Sequence, residues 1–269
     1  MKATDRPAMS YVDAHIHLAD PAYADKVEHV LEIARKENVV ALVANSMDFQ
    51  TSTVSVELAI RNLSLVYGAV GIHPWNAQNV NSEELDRIHR LIQQKGDHVS
   101  AIGEIGLDKS YAKNQDHLKR QRQLFERQLT LAEKTNLPII VHSRGSAREV
   151  LDTLSSHNQK KVLMHWYSGP LEYVEEISDN GWMLSFGPSI LYVDRTREVV
   201  SKAPLESLLT ETDGPVAYKG PFHGRETTPE FVKPVVEEAA RIRKIDSEAF
   251  SNQILKNFDS FFRVKKQSI

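Results

Sequence analysis

Eight short apolar, β-branched runs alternate along the chain with longer amphipathic stretches. The runs are Tyr11–Leu18, Val39–Ser46, Leu65–His73, Val99–Leu107, Pro138–Ser143, Val162–Tyr167, Trp182–Gly187 and Leu208–Asp213. Between them lie helix-like segments such as Ala24–Glu37, Glu83–Lys95, Asp116–Thr135 and Leu171–Ser178. Strands this apolar cannot show one face to water, so the alternation predicts a parallel sheet covered by helices. Eight such units, with one more helix closing the chain, predict an α/β fold: a closed (β/α)8 barrel of the TIM type in a single domain. A short N-terminal tail, residues 1–10, precedes a barrel over residues 11–269. Asn81-Ser82-Glu83-Glu84 and Thr228-Pro229-Glu230 each read as a helix start. No Gly-x-Gly-x-x-Gly follows a strand, and there is no Walker loop or Gly-x-Ser-x-Gly elbow, so the dinucleotide, nucleotide and serine-hydrolase alternatives lack their signatures.

Composition narrows the chemistry. With 41% apolar residues in 269, the chain buries a large core, and its 26% charged residues are spread rather than blocked. A formal net charge of −3 argues against a protein that coats nucleic acid electrostatically, while leaving room for an enzyme with a locally positive cleft or bound cations. The absence of cysteine excludes disulfides, thiolate metal sites and a cysteine nucleophile, so any metal is held by nitrogen and oxygen. Met1–Ser10 holds no apolar run of signal-peptide length, and no stretch approaches the ~20 apolar residues of a membrane span. The expectation is a cytoplasmic protein with no membrane association and no evident stable protein partner.

Functional groups of such a barrel belong at the C-terminal ends of its strands. There the chain places Asp13-Ala14-His15-Ile16-His17, Gly71-Ile72-His73-Pro74, Gly103-Glu104-Ile105-Gly106-Leu107-Asp108, Val141-His142-Ser143-Arg144, Met164-His165-Trp166-Tyr167 and Thr210-Glu211-Thr212-Asp213. Residues two apart on a strand share a face, so His15 and His17 can bind one ion. A carboxylate inside an apolar strand, as at Glu104, needs a cation or several hydrogen bonds to stay charged. Each histidine alone reads as a satisfied core residue; six N/O ligands at five strand ends read as a metal centre. His15, His17 and Asp213 are expected to hold one ion and His142 and His165 a second, with Glu104 bridging. Zn²⁺, Mn²⁺ and Mg²⁺ all suit such donors. Asp213 is placed to orient or deprotonate a water. His29, His89, His98, His117 and His157 fall in helices or connections and are expected at the surface.

Taken in order, these motifs resemble the TatD family of metal-dependent deoxyribonucleases, among the amidohydrolase-like barrels. The similarity runs from Tyr11 to about Phe262 and includes His165 before Ser168-Gly169 and the segment Gln123–Leu129 ahead of the fifth strand. It implies a TIM barrel, two divalent ions at the six positions named, and hydrolysis of phosphodiester bonds in nucleic acid, single-stranded DNA or ends, with exonuclease character. It also implies that His73 lies at the scissile phosphate, stabilising charge or donating a proton. Departures from the family pattern gather in the mouth. Trp75 stands where a second histidine is common, and Trp166-Tyr167 where Cys-Phe is common. Gly214 replaces the serine after the final Asp, and Thr227 stands where Asn is expected after Arg225. Trp75, Trp166, Tyr167 and Tyr218 are able to stack on bases or to pack loops over the barrel, and Arg144, Lys219 and Arg225 to hold a phosphate. The alternative is a hydrolase of the same scaffold acting on an ester or amide, such as a lactone or an aminoacyl ester on tRNA; no inward lysine takes the bridge position that such enzymes often use. A binding protein with a vestigial site is disfavoured by the intact ligand set.

Overall fold

The computed structural model describes residues 9–157 and 159–262. Eight parallel strands follow one another in chain order around one sheet: β1 (Tyr11–Ile16), β2 (Val39–Ala44), β3 (Val66–Val70), β4 (Val99–Gly106), β5 (Ile139–His142), β6 (Val162–Met164), β7 (Met183–Phe186) and β8 (Leu208–Thr210). Helices α1 (Val27–Lys36), α2 (Phe49–Arg61), α3 (Ser82–Lys95), α4 (Gln115–Thr135), α5 (Ala147–Ser156), α6 (Tyr173–Asp179), α7 (Asp194–Lys202) and α8 (Val232–Arg243) each follow a strand, and α9 (Ser247–Phe262) closes the chain. This is the expected (β/α)8 barrel. Of the expected tail only Met9 and Ser10 are described; residues 1–8 and 263–269 lie outside the described residues. No helix among the described residues is long and apolar enough to cross a membrane.

The seam between β8 and β1 is closed largely beyond the ends of the regular strands. Thr210 Oγ1 donates to the Val12 carbonyl (2.7 Å), Asp213 N to His15 O (2.8 Å) and His17 N to Gly214 O (2.8 Å). The polar residues after β8 are thereby locked beside the end of β1. Strand interiors are apolar and buried, including Leu42, Ile102, Ile140 and Leu163, and each helix lays an apolar stripe on them. Along α4 the buried residues Gln121, Leu124, Phe125, Gln128, Leu129, Leu131 and Ala132 recur at helical spacing; Asn114 caps its start and Asn136, at φ 52°, ends it in the left-handed region.

The expected runs overshoot the strands at their C-terminal ends. His17, Gly71–His73, His165 and Glu211–Asp213 lie beyond the regular strands, at the mouth. The helix start read at Thr228 begins instead as a single 3-10 turn, Pro229–Phe231, with α8 following from Val232.

Candidate metal centre

The first cluster is assembled by the seam. His15 lies in β1 and His17 just past it, so both rings point into the mouth. The Asp213 backbone donates to His15 and places its own carboxylate opposite them. Asp213 adopts φ +51°, a conformation that Asp tolerates better than most residues and that is frequent where geometry is dictated by function. Asp13 braces the arrangement: its Oδ1 accepts from His15 N (3.2 Å) and Thr212 N (2.9 Å), and burial pushes its carboxyl up to about 7.

Four ligand atoms converge. His15 Nε2 and His17 Nε2 lie 3.1 Å apart; Glu104 Oε2 is 3.2 and 3.4 Å from them, and Asp213 Oδ1 is 3.4 Å from each. A tetrahedral ion with ligands at about 2.0–2.1 Å has donors about 3.3–3.4 Å apart. Five edges of such a tetrahedron are therefore present. Imidazole lone pairs and carboxylates suit borderline and hard divalent ions, so the residues fit a metal.

The other Glu104 oxygen faces three more histidines. Its Oε1 is 2.6 Å from His142 Nδ1 and 3.3 Å from both His165 Nε2 and His73 Nε2. His165 is oriented from behind by Glu211, whose Oε2 is 3.1 Å from its Nδ1, and its ring stacks on His15 with centroids 3.7 Å apart. A carboxylate on the far nitrogen leaves Nε2 to present its lone pair inward, as metal-bound histidines require. His73 is different. Its Nδ1 accepts from the Trp75 backbone N–H (3.1 Å), and burial lowers its pKa to about 4. The neutral ring thus carries its proton on Nε2, directed at the centre, where it donates rather than ligates.

Charge in this buried site is balanced by proximity. Burial works against the carboxylate of Glu104, but four surrounding imidazoles hold it well below the usual range; Asp213 is likewise lowered, chiefly through His17. Burial also opposes a charge on His17, yet hydrogen bonds to Asp213 and Glu104 push it up to about 10. His142 and His165 are raised against burial by Glu104 with, respectively, Asp108 and Glu211. His15 is lowered by burial and by His165. The metal-free cluster accordingly holds protons that a cation must displace. Calorimetric titration of Zn²⁺ at pH 7 in two buffers of different ionisation enthalpy is expected to show roughly one or more protons released per ion, with affinity falling as pH falls. Buffer-independent heats would contradict this charge assignment.

The six expected ligands and His73 are thus brought together around Glu104. Four further residues escaped the sequence reading because each works on a neighbour: Asp13, Glu211, Gln121 and Gln128. The two glutamines, seven apart on α4 and buried, clamp backbone at the mouth. Gln121 accepts from Asp108 N (2.9 Å) and donates to its carbonyl (3.0 Å), and Gln128 does the same at Ile72 (2.8 and 3.0 Å). Polar residues inside an apolar helical stripe were the available signal. Arg144 is exposed and makes no ion pair among the described residues. Arg225 is already engaged, donating to Glu230 (2.7 Å) and lying over the Phe231 ring. Tyr167 and Tyr218 are buried with their hydroxyls bonded to the Pro170 and Thr212 carbonyls, and Trp166 packs on Tyr218, so these three serve loop packing. Trp75 alone of the four mouth aromatics is open, at 41% exposure.

Comparison with known proteins gives consistent similarities. The model of the TatD-related DNase family matches residues 12–263. A metal-dependent hydrolase of Methanocaldococcus jannaschii, itself uncharacterized, is 33% identical over 95% of this chain and 98% of its own. Deoxyribonuclease TATDN3 of Homo sapiens is 33% identical over 88% of this chain and 89% of its own. The crystal structure of the TatD homologue YjjV from Escherichia coli K12 superposes with a TM-score of 0.88 at 28% identity, covering 95% of this chain and 98% of that one.

Proposed function

This chain belongs to the TatD-related DNase family, and from that premise we propose that it hydrolyses phosphodiester bonds of DNA, working on single strands or ends through two divalent ions. It is a metal-dependent hydrolase. The observation that carries the two-ion reading is the convergence on Glu104, each of whose oxygens faces its own set of imidazoles. His15, His17, Asp213 and Glu104 Oε2 would hold one ion; His142, His165 and Glu104 Oε1 would hold the other. Zn²⁺, Mn²⁺ or Mg²⁺ held there would supply Lewis acidity toward a phosphoryl oxygen and would make water more acidic, most strongly for Zn²⁺.

The chain's own groups do the rest. Asp213, anionic and at the edge of the centre, takes a proton from the attacking water as its oxygen bonds to phosphorus and the bond from phosphorus to the leaving oxygen breaks; the leaving alkoxide takes its proton from solvent. His73 presents Nε2–H. A neutral imidazole is too weak an acid to surrender that proton, so His73 stabilises charge developing on the phosphoryl group rather than protonating the leaving oxygen. Arg144, two residues beyond His142 and unpaired, is the guanidinium available to the phosphate; Arg225 would have to leave Glu230 to help.

End-labelled single-stranded DNA incubated with Mg²⁺, Mn²⁺ or Zn²⁺ is expected to shorten, and EDTA-treated protein is expected to leave it intact. Intact DNA with every metal, from protein carrying two ions per chain, would reject the phosphodiesterase reading in favour of an ester or amide substrate.

A further inference from the structure

Trp75 and Tyr111 are the only aromatic side chains among the large exposed hydrophobics of the described residues, at 41% and 50% exposure, and they stand together. Their rings stack with centroids 4.5 Å apart and planes inclined by 29°. The other exposed apolar residues, such as Val40, Val54 and Leu63, are single aliphatics, which need no explanation on a soluble surface. Two large rings held half in water at an active-site rim do need one, because aromatic residues ordinarily bury most of their area.

The pair is built in place. The Trp75 indole N–H donates to Asp108 Oδ2 (3.2 Å), the same oxygen that meets His142 Nε2 (2.8 Å). The other Asp108 oxygen gathers Ser110 N (2.8 Å), the Ser110 hydroxyl and Tyr111 N (3.3 Å), which fixes the turn that carries Tyr111. Gln121 clamps the Asp108 backbone from beneath. The Trp75 ring meets the His73 ring edge to face at 4.4 Å, and His73 Nε2 reaches Glu104 Oε1 at 3.3 Å. The ledge therefore begins one ring away from where the phosphate is expected.

We propose that the Trp75–Tyr111 ledge is a nucleobase subsite that takes the base next to the scissile phosphodiester. It rests on the nuclease reading above and deepens it. A preorganised aromatic surface loses little entropy on binding, and every base offers it a face, so recognition there is sequence-tolerant with a preference for the larger purine ring. A base lies on the ledge only after leaving its own stack, so unpaired ends are favoured over duplex interiors. Arg144 reaches the same rim, since the Lys109 N–H donates to its carbonyl (3.1 Å), and supplies a cation for the phosphate that follows.

The test compares two end-labelled single-stranded oligonucleotides, one adenine throughout and one with abasic tetrahydrofuran residues at both terminal positions. With the metal that supports cleavage, the wild-type ratio of kcat/KM for the first over the second is expected to be about tenfold or more. Tyr111→Ala, an exposed change, should pull that ratio toward one through KM, and Tyr111→Phe should restore it. Equal wild-type cleavage of both substrates, or an unchanged ratio in Tyr111→Ala, overturns the ledge while leaving the nuclease standing. Cleavage of neither oligonucleotide with any metal overturns the nuclease reading and the ledge with it.

Discussion

Glu104→Gln is expected to reduce bound metal from two ions per chain to one or none and to lower phosphodiester hydrolysis on the order of 10³-fold, the scale of losing several kcal/mol of charge stabilisation. The substitution keeps the shape of a side chain that is 2% exposed. What it removes is the single negative charge that faces His15 and His17 through one oxygen and His73, His142 and His165 through the other. An amide cannot bridge cations, and one of its two positions becomes a donor aimed at donors. Metal-free protein should suffer as well. His17, His142 and His165 are held charged by this carboxylate and its neighbours, and breaking a buried ion pair costs about 3–5 kcal/mol. Elemental analysis of desalted protein and thermal melts with and without EDTA read the two effects separately. A variant retaining two ions and wild-type melting would remove Glu104 from the centre of the site.

Much of this arrangement is legible without coordinates, for a physical reason. Barrel strands are buried on both faces, so they read as apolar runs, and a histidine or glutamate terminating such a run has nowhere to go but the mouth. His15, His142, His165 and Glu104 stand out on that ground alone. The reading weakens where meaning lies between strands. Asp108 closes the Gly103–Asp108 motif, yet its role depends on Trp75 from the loop after β3 and His142 from β5, and neither relation is encoded in local spacing. Glu211 and Asp13 work at second hand, through His165 and through Thr212. The aromatics show the same limit. Trp75, Trp166, Tyr167 and Tyr218 look equivalent as residues after strands; which are covered is decided by the neighbouring loops, and only Trp75 is left open. The apolar runs extend past the regular strands because burial continues beyond the strand ends into the site itself.

Asp213→Asn is expected to cut kcat by roughly 10²–10⁴-fold, the usual contribution of a positioned general base, and to lower the melting temperature of metal-free protein, because the carboxylate is a buried partner of the raised His17. The backbone makes this the informative substitution. Asp213 sits at φ +51°, and its N–H donates to the His15 carbonyl across the β8–β1 seam (2.8 Å). Asn enters the left-handed region as readily as Asp, so the seam and the approach of His15 survive, while the amide can neither accept the water's proton nor carry charge. Asp213→Ala removes the same function but must also strain the backbone, at about 1–2 kcal/mol. The pair therefore separates charge from backbone: both variants should be equally slow per folded molecule, and the alanine protein should melt earlier than the asparagine protein by the added backbone strain. Should the asparagine protein keep a tenth or more of wild-type kcat with both ions bound, the proton of the attacking water goes elsewhere. Of the other carboxylates of the cluster, Glu104 faces five imidazoles and Asp108 engages His142, while Glu211 meets His165 and Ser185 through Oε2 and leaves Oε1 without a hydrogen-bond partner. That outcome would leave the free oxygen of Glu211 or the phosphate group itself as the acceptor.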